Sequence, residues 1–139
     1  MSKAKPHTCL NCEQSDMVLQ TKDVTIELDG ITRTVPRVKG WHCPVCGEIE
    51  FVESGSAKRY SAALDELAAE RDARQREELA RIRKRLKLTQ AQAAAIAGGG
   101  PNAFSRYERG KARPVAAVVN LFRLLDKHPE LLEELHPAG

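Results

Sequence analysis

Four cysteines in two short pairs constrain the fold of this 139-residue chain more than any other feature. They read Cys9-Leu10-Asn11-Cys12 and Cys43-Pro44-Val45-Cys46, with thirty residues between the pairs. One Cys-x-x-Cys places two sulfurs within reach of a single ion, so two pairs supply the four thiolates of a closed tetrahedral zinc site. Such a site leaves no coordination position for a substrate. The pattern predicts one structural Zn²⁺ per chain, held by Cys9, Cys12, Cys43 and Cys46.

Other uses of the cysteines stay open at this point. Iron–sulfur clusters also use four thiolates, whereas a redox Cys-x-x-Cys normally stands singly at a helix start after a strand. His7 and His42 neighbour the pairs and could replace a ligand. Because four cysteines already complete a tetrahedron, we expect both histidines to be solvated instead.

The hydropathy pattern argues against membrane insertion and secretion. No apolar run is long enough to cross a bilayer, and residues 1–7 have no apolar stretch after their charges. We therefore expect a cytoplasmic protein with no membrane partner. In the reducing cytosol, paired cysteines more often hold metal than form disulfides.

The net charge of +3 conceals an asymmetry along the chain. Residues 1–70 contain 8 Lys and Arg against 11 Asp and Glu, whereas residues 71–139 contain 14 against 8. A basic half joined to a slightly acidic half indicates two modules, the basic one facing a polyanion. Charge imbalances of this size are also common in proteins without any functional significance, so charge alone does not establish two modules. We place the domain boundary near residue 72, giving domains 1–72 and 73–139.

Between the cysteine pairs, alternating apolar and polar residues predict a β-hairpin. Val24–Leu28 and Ile31–Val35 alternate, and Asp29-Gly30 separates them, which is the strongest short-range signal for a type I′ turn. Pro36 and Gly40 are expected to end the second strand. The module is too small to fold on apolar burial alone, and structural zinc contributes roughly 10–16 kcal/mol in comparable peptides.

A long stretch without glycine or proline, residues 56–97, predicts helix after this module. Ser56 and Ser61 are possible N-caps. Residues 70–78 carry no apolar stripe and are interpreted as a solvated connector, helical or hinged. Trp41 is expected to cover one face of the thin core, and four residues at helical spacing are expected to pack on it: Tyr60, Leu64, Leu67 and Ala68.

The remainder predicts a series of short helices. The first follows Leu79, Ile82 and Leu86, and the second begins at a Thr89–Gln92 capping box and stops near Gly98–Gly100. Pro101 is expected to start the third helix, where its missing N–H costs nothing. A fourth helix, with a broad apolar face from Val115 to Leu125, and a short final helix from Pro129 complete a five-helix domain.

The third helix divides into a polar and an aromatic side. Asn102, Ser105, Arg106 and Arg109 cluster on one side, and Phe104 and Tyr107 lie on the other. Asn can bond adenine and Arg can bond guanine bidentately in the major groove, and a helix-turn-helix presents its second helix there. Any surface helix has a polar face, but the combination of helix order, glycine turn and local charge favours DNA. We predict base contacts from Asn102 and Arg106, and backbone or secondary contacts from Thr89, Gln90, Ser105, Arg109, Lys111 and Arg113, with Lys87 as a further candidate.

Three segments together resemble the MqsA-type antitoxins of bacterial type II toxin–antitoxin systems. They are Leu88–Gln90, the long and specific run Gly98–Gly110, and Leu124–Leu132. The two cysteine pairs match the same family in order and position. The chain departs from the family's pattern in the eight residues before Cys9, in Pro101, and in the Ala- and Arg-rich stretch before the helix-turn-helix.

The resemblance implies a concrete architecture and function. The fold would be α+β: a small N-terminal zinc-bound β-hairpin module with a helix, joined by a linker to an all-α, five-helix, lambda-repressor-like helix-turn-helix domain. The N-terminal zinc domain would neutralise an mRNA-cleaving toxin. The C-terminal domain would form a homodimer and repress its own operon at a palindromic operator, with Asn102 and Arg106 contacting bases. The resemblance carries over no toxin-contact residue.

Two other hypotheses stay open from the sequence. One is a stand-alone, zinc-containing transcription regulator without a toxin; the other is a zinc-ribbon enzyme or accessory subunit. We find no nucleophile–base arrangement, phosphate-binding loop or open metal site in the pattern of residues, so we expect no enzymatic activity.

Overall fold

The computed structural model describes residues 6–135, which form an α+β fold. By contact clustering the chain divides into two compact units, an N-terminal unit ending at Ala68 and a C-terminal unit beginning at Ala69. The elements are β1 (Val18–Leu28), β2 (Ile31–His42), β3 (Ile49–Phe51), α1 (Ser54–Arg85), α2 (Gln90–Ala97), α3 (Ala103–Glu108), α4 (Ala116–Lys127) and a final 3₁₀ helix (Pro129–Leu135).

The predicted β-hairpin is confirmed, including its turn. Strands β1 and β2 pair antiparallel, and Leu28 opposite Ile31 leaves Asp29 and Gly30 as a two-residue loop. Both loop residues have positive φ, 50° for Asp29 and 79° for Gly30. Type I′ turns require this backbone conformation at both central positions.

Strand β2 continues past Pro36, where the sequence predicted its end. The register between β1 and β2 shifts at a bulge, so that Pro36 and Arg37 lie opposite Asp23 alone. Arg37 adopts φ 50° and its N–H donates to the Asp23 carboxylate at 3.0 Å. A bulge tolerates proline inside a central strand because no ladder hydrogen bond is required there.

Gly40 also lies inside β2, and the expectation that it ends the strand is wrong. It pairs with Gln20 of β1 on one side and Phe51 of β3 on the other, in a sheet of order β1-β2-β3. A Cβ at Gly40 would lie 2.4 Å from the carbonyl oxygen of Glu50. The glycine therefore permits β3 to approach, and it does not mark a boundary.

The core of the N-terminal unit lies between the sheet and the start of α1. Leu67 is fully buried, and Tyr60 and Ala63 are partly buried beside it. Leu64 is 40% exposed, so the expectation that it packs on the sheet is wrong. The buried partners from the strands are Ile26, Ile31, Val35 and Val38.

Helix α1 is continuous over 32 residues, so residues 70–78 are helical. Neither Ser56 nor Ser61 caps it, because the helix begins at Ser54. Ser56 is fully buried; its hydroxyl accepts the Lys39 N–H at 3.0 Å and donates to the Glu53 carboxylate at 2.6 Å. This serine ties the first turn of α1 to strand β2.

The C-terminal unit has its own apolar core. Phe104 of α3 is fully buried, with its ring centroid 4.8 Å from that of Phe122 in α4 and 5.5 Å from that of Tyr107. The small residues Ala93, Ala94 and Ala103 are buried where helices meet. The other buried members are Leu79, Ile82, Leu88, Val118 and Val119. None of the described helices is both long enough and apolar enough to cross a membrane.

Candidate metal centre and nucleic-acid interface

The four cysteines predicted to bind metal come together in the N-terminal unit. Their sulfur atoms all lie within 4.8 Å of one another, with the Cys9–Cys46 and Cys12–Cys43 pairs of Sγ atoms at 3.6 Å. A tetrahedral zinc site with Zn–S bonds of about 2.3 Å has sulfur–sulfur edges of about 3.8 Å. The donor set is therefore positioned to hold one metal ion, and its size and chemistry fit zinc.

Matching backbone turns position the two cysteine pairs. The residue after the second cysteine of each pair has positive φ, 56° at Glu13 and 80° at Gly47. Each of these residues donates its N–H to the carbonyl oxygen of the first cysteine, Glu13 to Cys9 at 2.9 Å and Gly47 to Cys43 at 3.1 Å. Gly47 was a visible sequence signal for this turn, whereas Glu13 was not.

The crowded sulfurs have divergent proton affinities. A hydrogen bond from the Asn11 side chain and a backbone bond from Glu48 lower the pKa of Cys46 to about 6. At Cys12 a backbone bond from Gln14 favours the thiolate, but desolvation and the three other cysteines together outweigh it and raise the pKa to about 11. Four thiols so close together cannot all ionise without a cation, so metal binding would release protons.

Both histidines beside the cysteines have partners within the protein and His42 is buried, so the expectation that both are solvated is wrong. The His7 ring stacks on Trp41 with centroids 4.0 Å apart and Nε2 contacts the Glu50 carboxylate. His42 is 2% exposed, with Nε2 3.0 Å from the Val38 carbonyl oxygen. Neither histidine belongs to the metal-ligand cluster among the described residues. Trp41 packs beside that cluster rather than over the hairpin core.

The candidate nucleic-acid interface is helix α3 with the turn before it. Gly98, Gly99 and Gly100 all have positive φ, between 86° and 91°. Pro101 lies in this turn and α3 begins only at Ala103, so the prediction that Pro101 starts the helix is wrong. Glycine adopts these backbone conformations without steric cost, whereas residues with a Cβ rarely do, and α3 begins only after this turn.

The polar residues in and next to α3 differ in the hydrogen bonds that their side chains form. Asn102 and Arg106 are exposed; the Asn102 side chain makes no capping hydrogen bond, and an Arg106 Nη2 lies 3.4 Å from the Gly99 carbonyl oxygen. Arg109 is also exposed and donates to the Ser105 carbonyl at 3.2 Å. Because Phe104 anchors the opposite side in the core, the predicted base-contacting groups face away from it.

The capping box at the start of α2 is confirmed. The Gln92 N–H donates to the Thr89 hydroxyl at 3.1 Å, and the Thr89 N–H donates to the Gln92 side-chain oxygen at 2.8 Å. Thr89 remains exposed at this end of α2. Its predicted contact to a DNA phosphate stays a prediction.

A nearly buried ion pair, which the sequence did not predict, ties α3 to its neighbours. Arg83 donates through Nε and Nη2 to the Glu108 carboxylate, the shortest contact being 2.8 Å, and through Nη1 to the Leu88 carbonyl. Gln90 donates to the same carboxylate at 2.9 Å. The side chains of Arg83 and Glu108 are 13% and 11% exposed. Gln90, predicted to contact DNA, thus has an internal partner.

The segment after α3 carries the other predicted backbone contacts. The Lys111 and Ala112 N–H groups both donate to the Arg106 carbonyl, at 2.8 and 3.3 Å. Arg113 pairs with Asp72 at 3.3 Å. Lys87 lies just before α2, exposed and with φ 58°. The loop after α3 is therefore bonded directly to the backbone of a predicted base-contacting residue.

Comparison with known proteins finds a family match over nearly the whole chain. Residues 7–136 match the family described as the antitoxin component of bacterial toxin-antitoxin system, MqsA. A curated relative, antitoxin MqsA of Escherichia coli strain K12, is 37% identical over 135 residues, which cover 91% of this chain and 98% of that protein. The match covers both units, the cysteine cluster and α3, so the chain belongs to the MqsA family of bacterial antitoxins.

Proposed function

We propose that the chain is a non-enzymatic, cytoplasmic antitoxin and autorepressor. It neutralises a cognate mRNA-cleaving toxin through its N-terminal unit and represses its own operon by binding a palindromic operator through its C-terminal unit. The observation that carries the proposal is the family match over both units, together with the exposed Asn102 and Arg106 on a helix anchored by Phe104.

The proposed metal is one structural Zn²⁺ per chain, bound by the four cysteines. Four thiolates close the coordination sphere, so the ion stabilises the fold and offers no position for substrate. The cysteine pairs lie before β1 and at the end of β2, and the ion would cross-link the two ends of the hairpin.

The proposed DNA contacts follow from α3. Arg106 would donate two hydrogen bonds to a guanine and Asn102 would bond an adenine in the major groove. Ser105 and Arg109 border them, and Thr89, Lys111 and Arg113 contact phosphates. A homodimer through the C-terminal unit would place two α3 helices on half-sites about one helical turn, roughly 10 bp, or a multiple apart. The exposed Val115 and Leu124 of the α4 region support such a dimer.

A protein partner for the N-terminal unit is supported by its exposed apolar side chains. Leu10 and Val45, at the two metal-binding turns, are 82% and 60% exposed. Exposed apolar side chains that form a contiguous patch mark protein contacts. Others in the same unit are Val18, Leu19, Phe51, Val52 and Leu64.

Co-purification with the product of the adjacent gene, combined with a gel shift on the upstream DNA, tests the proposal. We expect a stable complex with a small toxin and a discrete shift on the palindrome. Binding to DNA without any toxin would favour the stand-alone regulator, and binding to neither would refute both.

A further inference from the structure

A small basic cleft lies in the C-terminal unit beside the end of α3. It encloses about 160 Å³ and lies between the middle of α1 and the loop after α3. Its lining residues are Asp72, Gln75, Arg76, Gly110, Lys111, Ala112, Arg113 and Pro114. The volume is sufficient for a phosphate group with a few waters.

The cleft carries more positive charge than its one carboxylate neutralises. Asp72 bonds Arg71 at 3.0 Å and Arg113 at 3.3 Å. Within residues 6–135, neither the Arg76 guanidinium nor the Lys111 ammonium has an acidic partner or a side-chain hydrogen bond. Two cationic residues that line the same cavity are thus left for an anion, and such a pair favours phosphate.

Gly110 fixes how closely the loop approaches Arg76. A Cβ at Gly110 would lie 3.0 Å from Arg76 Nη1 and 3.3 Å from its Cζ, and φ is +73°. Any other residue would displace the guanidinium and strain the turn. The Arg76 guanidinium therefore lies close to the loop backbone at the cleft wall.

The cleft wall is bonded to the base-contacting residue. The N–H groups of Lys111 and Ala112 both donate to the carbonyl oxygen of Arg106, at 2.8 and 3.3 Å. An anion in the cleft would therefore lie near the C-terminal end of α3, where the DNA backbone passes when that helix occupies the major groove. This proximity favours a DNA phosphate over a free anion.

We propose that the cleft binds a phosphate of the operator backbone flanking the base pair contacted by Arg106, with Arg76 and Lys111 as the principal ligands. The inference rests on the proposed function. It assigns a DNA contact to Arg76, in the middle of α1 and outside the helix-turn-helix. It also gives Asp72 an opposing role, since its carboxylate competes with DNA phosphate for Arg113.

The proposal is tested by measuring how DNA affinity depends on salt concentration for Arg76→Gln and for a control variant that loses the same charge. Neutralising one phosphate contact should lower the slope of log K against log salt by about 0.9 per subunit and weaken binding equally on operator and scrambled DNA. Arg74→Gln removes the same charge from the same helix, but Arg74 is 63% exposed, pairs with Glu70 and does not line the cleft. The control should retain the wild-type slope.

The substitution Asp72→Asn should change DNA affinity in the opposite direction. Releasing Arg113 from its carboxylate should tighten binding to both DNAs and steepen the slope, an outcome that a misfolded protein cannot produce. A slope for Arg76→Gln equal to that of Arg74→Gln, or unchanged binding by Asp72→Asn, would overturn the inference.

Two further measurements are needed. The first distinguishes a DNA phosphate from a free anion in the cleft, and the second tests the proposed function separately from the cleft. If inorganic phosphate raises the melting temperature of the wild type but not of Arg76→Gln while the two DNA slopes agree, the cleft binds a free anion and the proposal is wrong. Failure of the wild-type protein to bind its upstream palindrome would instead refute the proposed function itself.

Discussion

At the scale of single residues, two positions in β2 are explained by their pairing with strand β3. Gly40 is glycine because a Cβ there would lie 2.4 Å from the Glu50 carbonyl oxygen of β3. His42 pairs with Ile49 of the same strand, and its buried ring lies 3.0 Å from the Val38 carbonyl oxygen. The sequence predicted the Asp29-Gly30 turn and the Thr89 cap because both depend on neighbours within a few positions. Gly40 and His42 were misassigned because the three-residue strand β3 that encloses them has no periodic signal.

Alanine substitutions at two glycines should have opposite effects. Gly40→Ala places a Cβ 2.4 Å from a backbone oxygen and should lower the free energy of unfolding by about 1–3 kcal/mol. Gly55→Ala, in the first turn of α1, meets only an Arg59 guanidinium at 3.4 Å and should raise it by roughly 0.5 kcal/mol. Denaturant titration of both metal-loaded variants measures the two changes in the free energy of unfolding. Equal changes would contradict the packing described for β3.

At the scale of elements, α3 is positioned by contacts with the apolar core, the end of α1 and the start of α2. Phe104 enters the core, and Glu108 accepts from Arg83 at the end of α1 and Gln90 at the start of α2. The helix order and the aromatic anchor could be predicted from helical periodicity. The Arg83–Glu108 pair could not, because the partners are 25 residues apart and each belongs to a charge-rich segment.

Removing Glu108 should therefore disturb α3 more than an ordinary surface substitution. Glu108→Ala leaves Arg83 without its charged partner and Gln90 without the carboxylate to which it donates. Breaking a nearly buried pair costs on the order of 3 kcal/mol. Glu70→Ala, which breaks the exposed pair with Arg74, should cost less than about 1 kcal/mol. Thermal unfolding of the two variants provides the comparison. Matching losses would mean that the Glu108 network does not hold α3.

At the scale of the whole molecule, the chain comprises two units with separate cores and different chemistry. The N-terminal unit combines a small sheet with four clustered thiols, and the C-terminal unit is helical with ten buried residues in its core. The charge asymmetry and the cysteine spacing predicted two modules and their order. The continuity of α1 could not be predicted, because residues 70–78 lack the apolar stripe that identifies a packed helix.

Metal removal should affect the two units unequally. A chelator should unfold the N-terminal unit, since the small sheet depends on the cross-linked cysteines, and leave the C-terminal unit folded. Backbone amide NMR spectra of the full chain, recorded with and without chelator, distinguish the units directly. Simultaneous loss of the signals of α2, α3 and α4 would contradict independent stability of the C-terminal unit, and Cys12→Ser should reproduce the chelator's effect.

The most direct test of the central claim is a base-pair scan of the upstream palindrome with wild type and Arg106→Ala. We predict that single base-pair changes in each half-site cost wild type about 1–3 kcal/mol at the contacted positions. Arg106→Ala should bind the intact operator about 1–3 kcal/mol more weakly and become indifferent to one base pair per half-site. A variant that binds as tightly as wild type, with the same scan profile, would show that α3 does not determine the operator sequence.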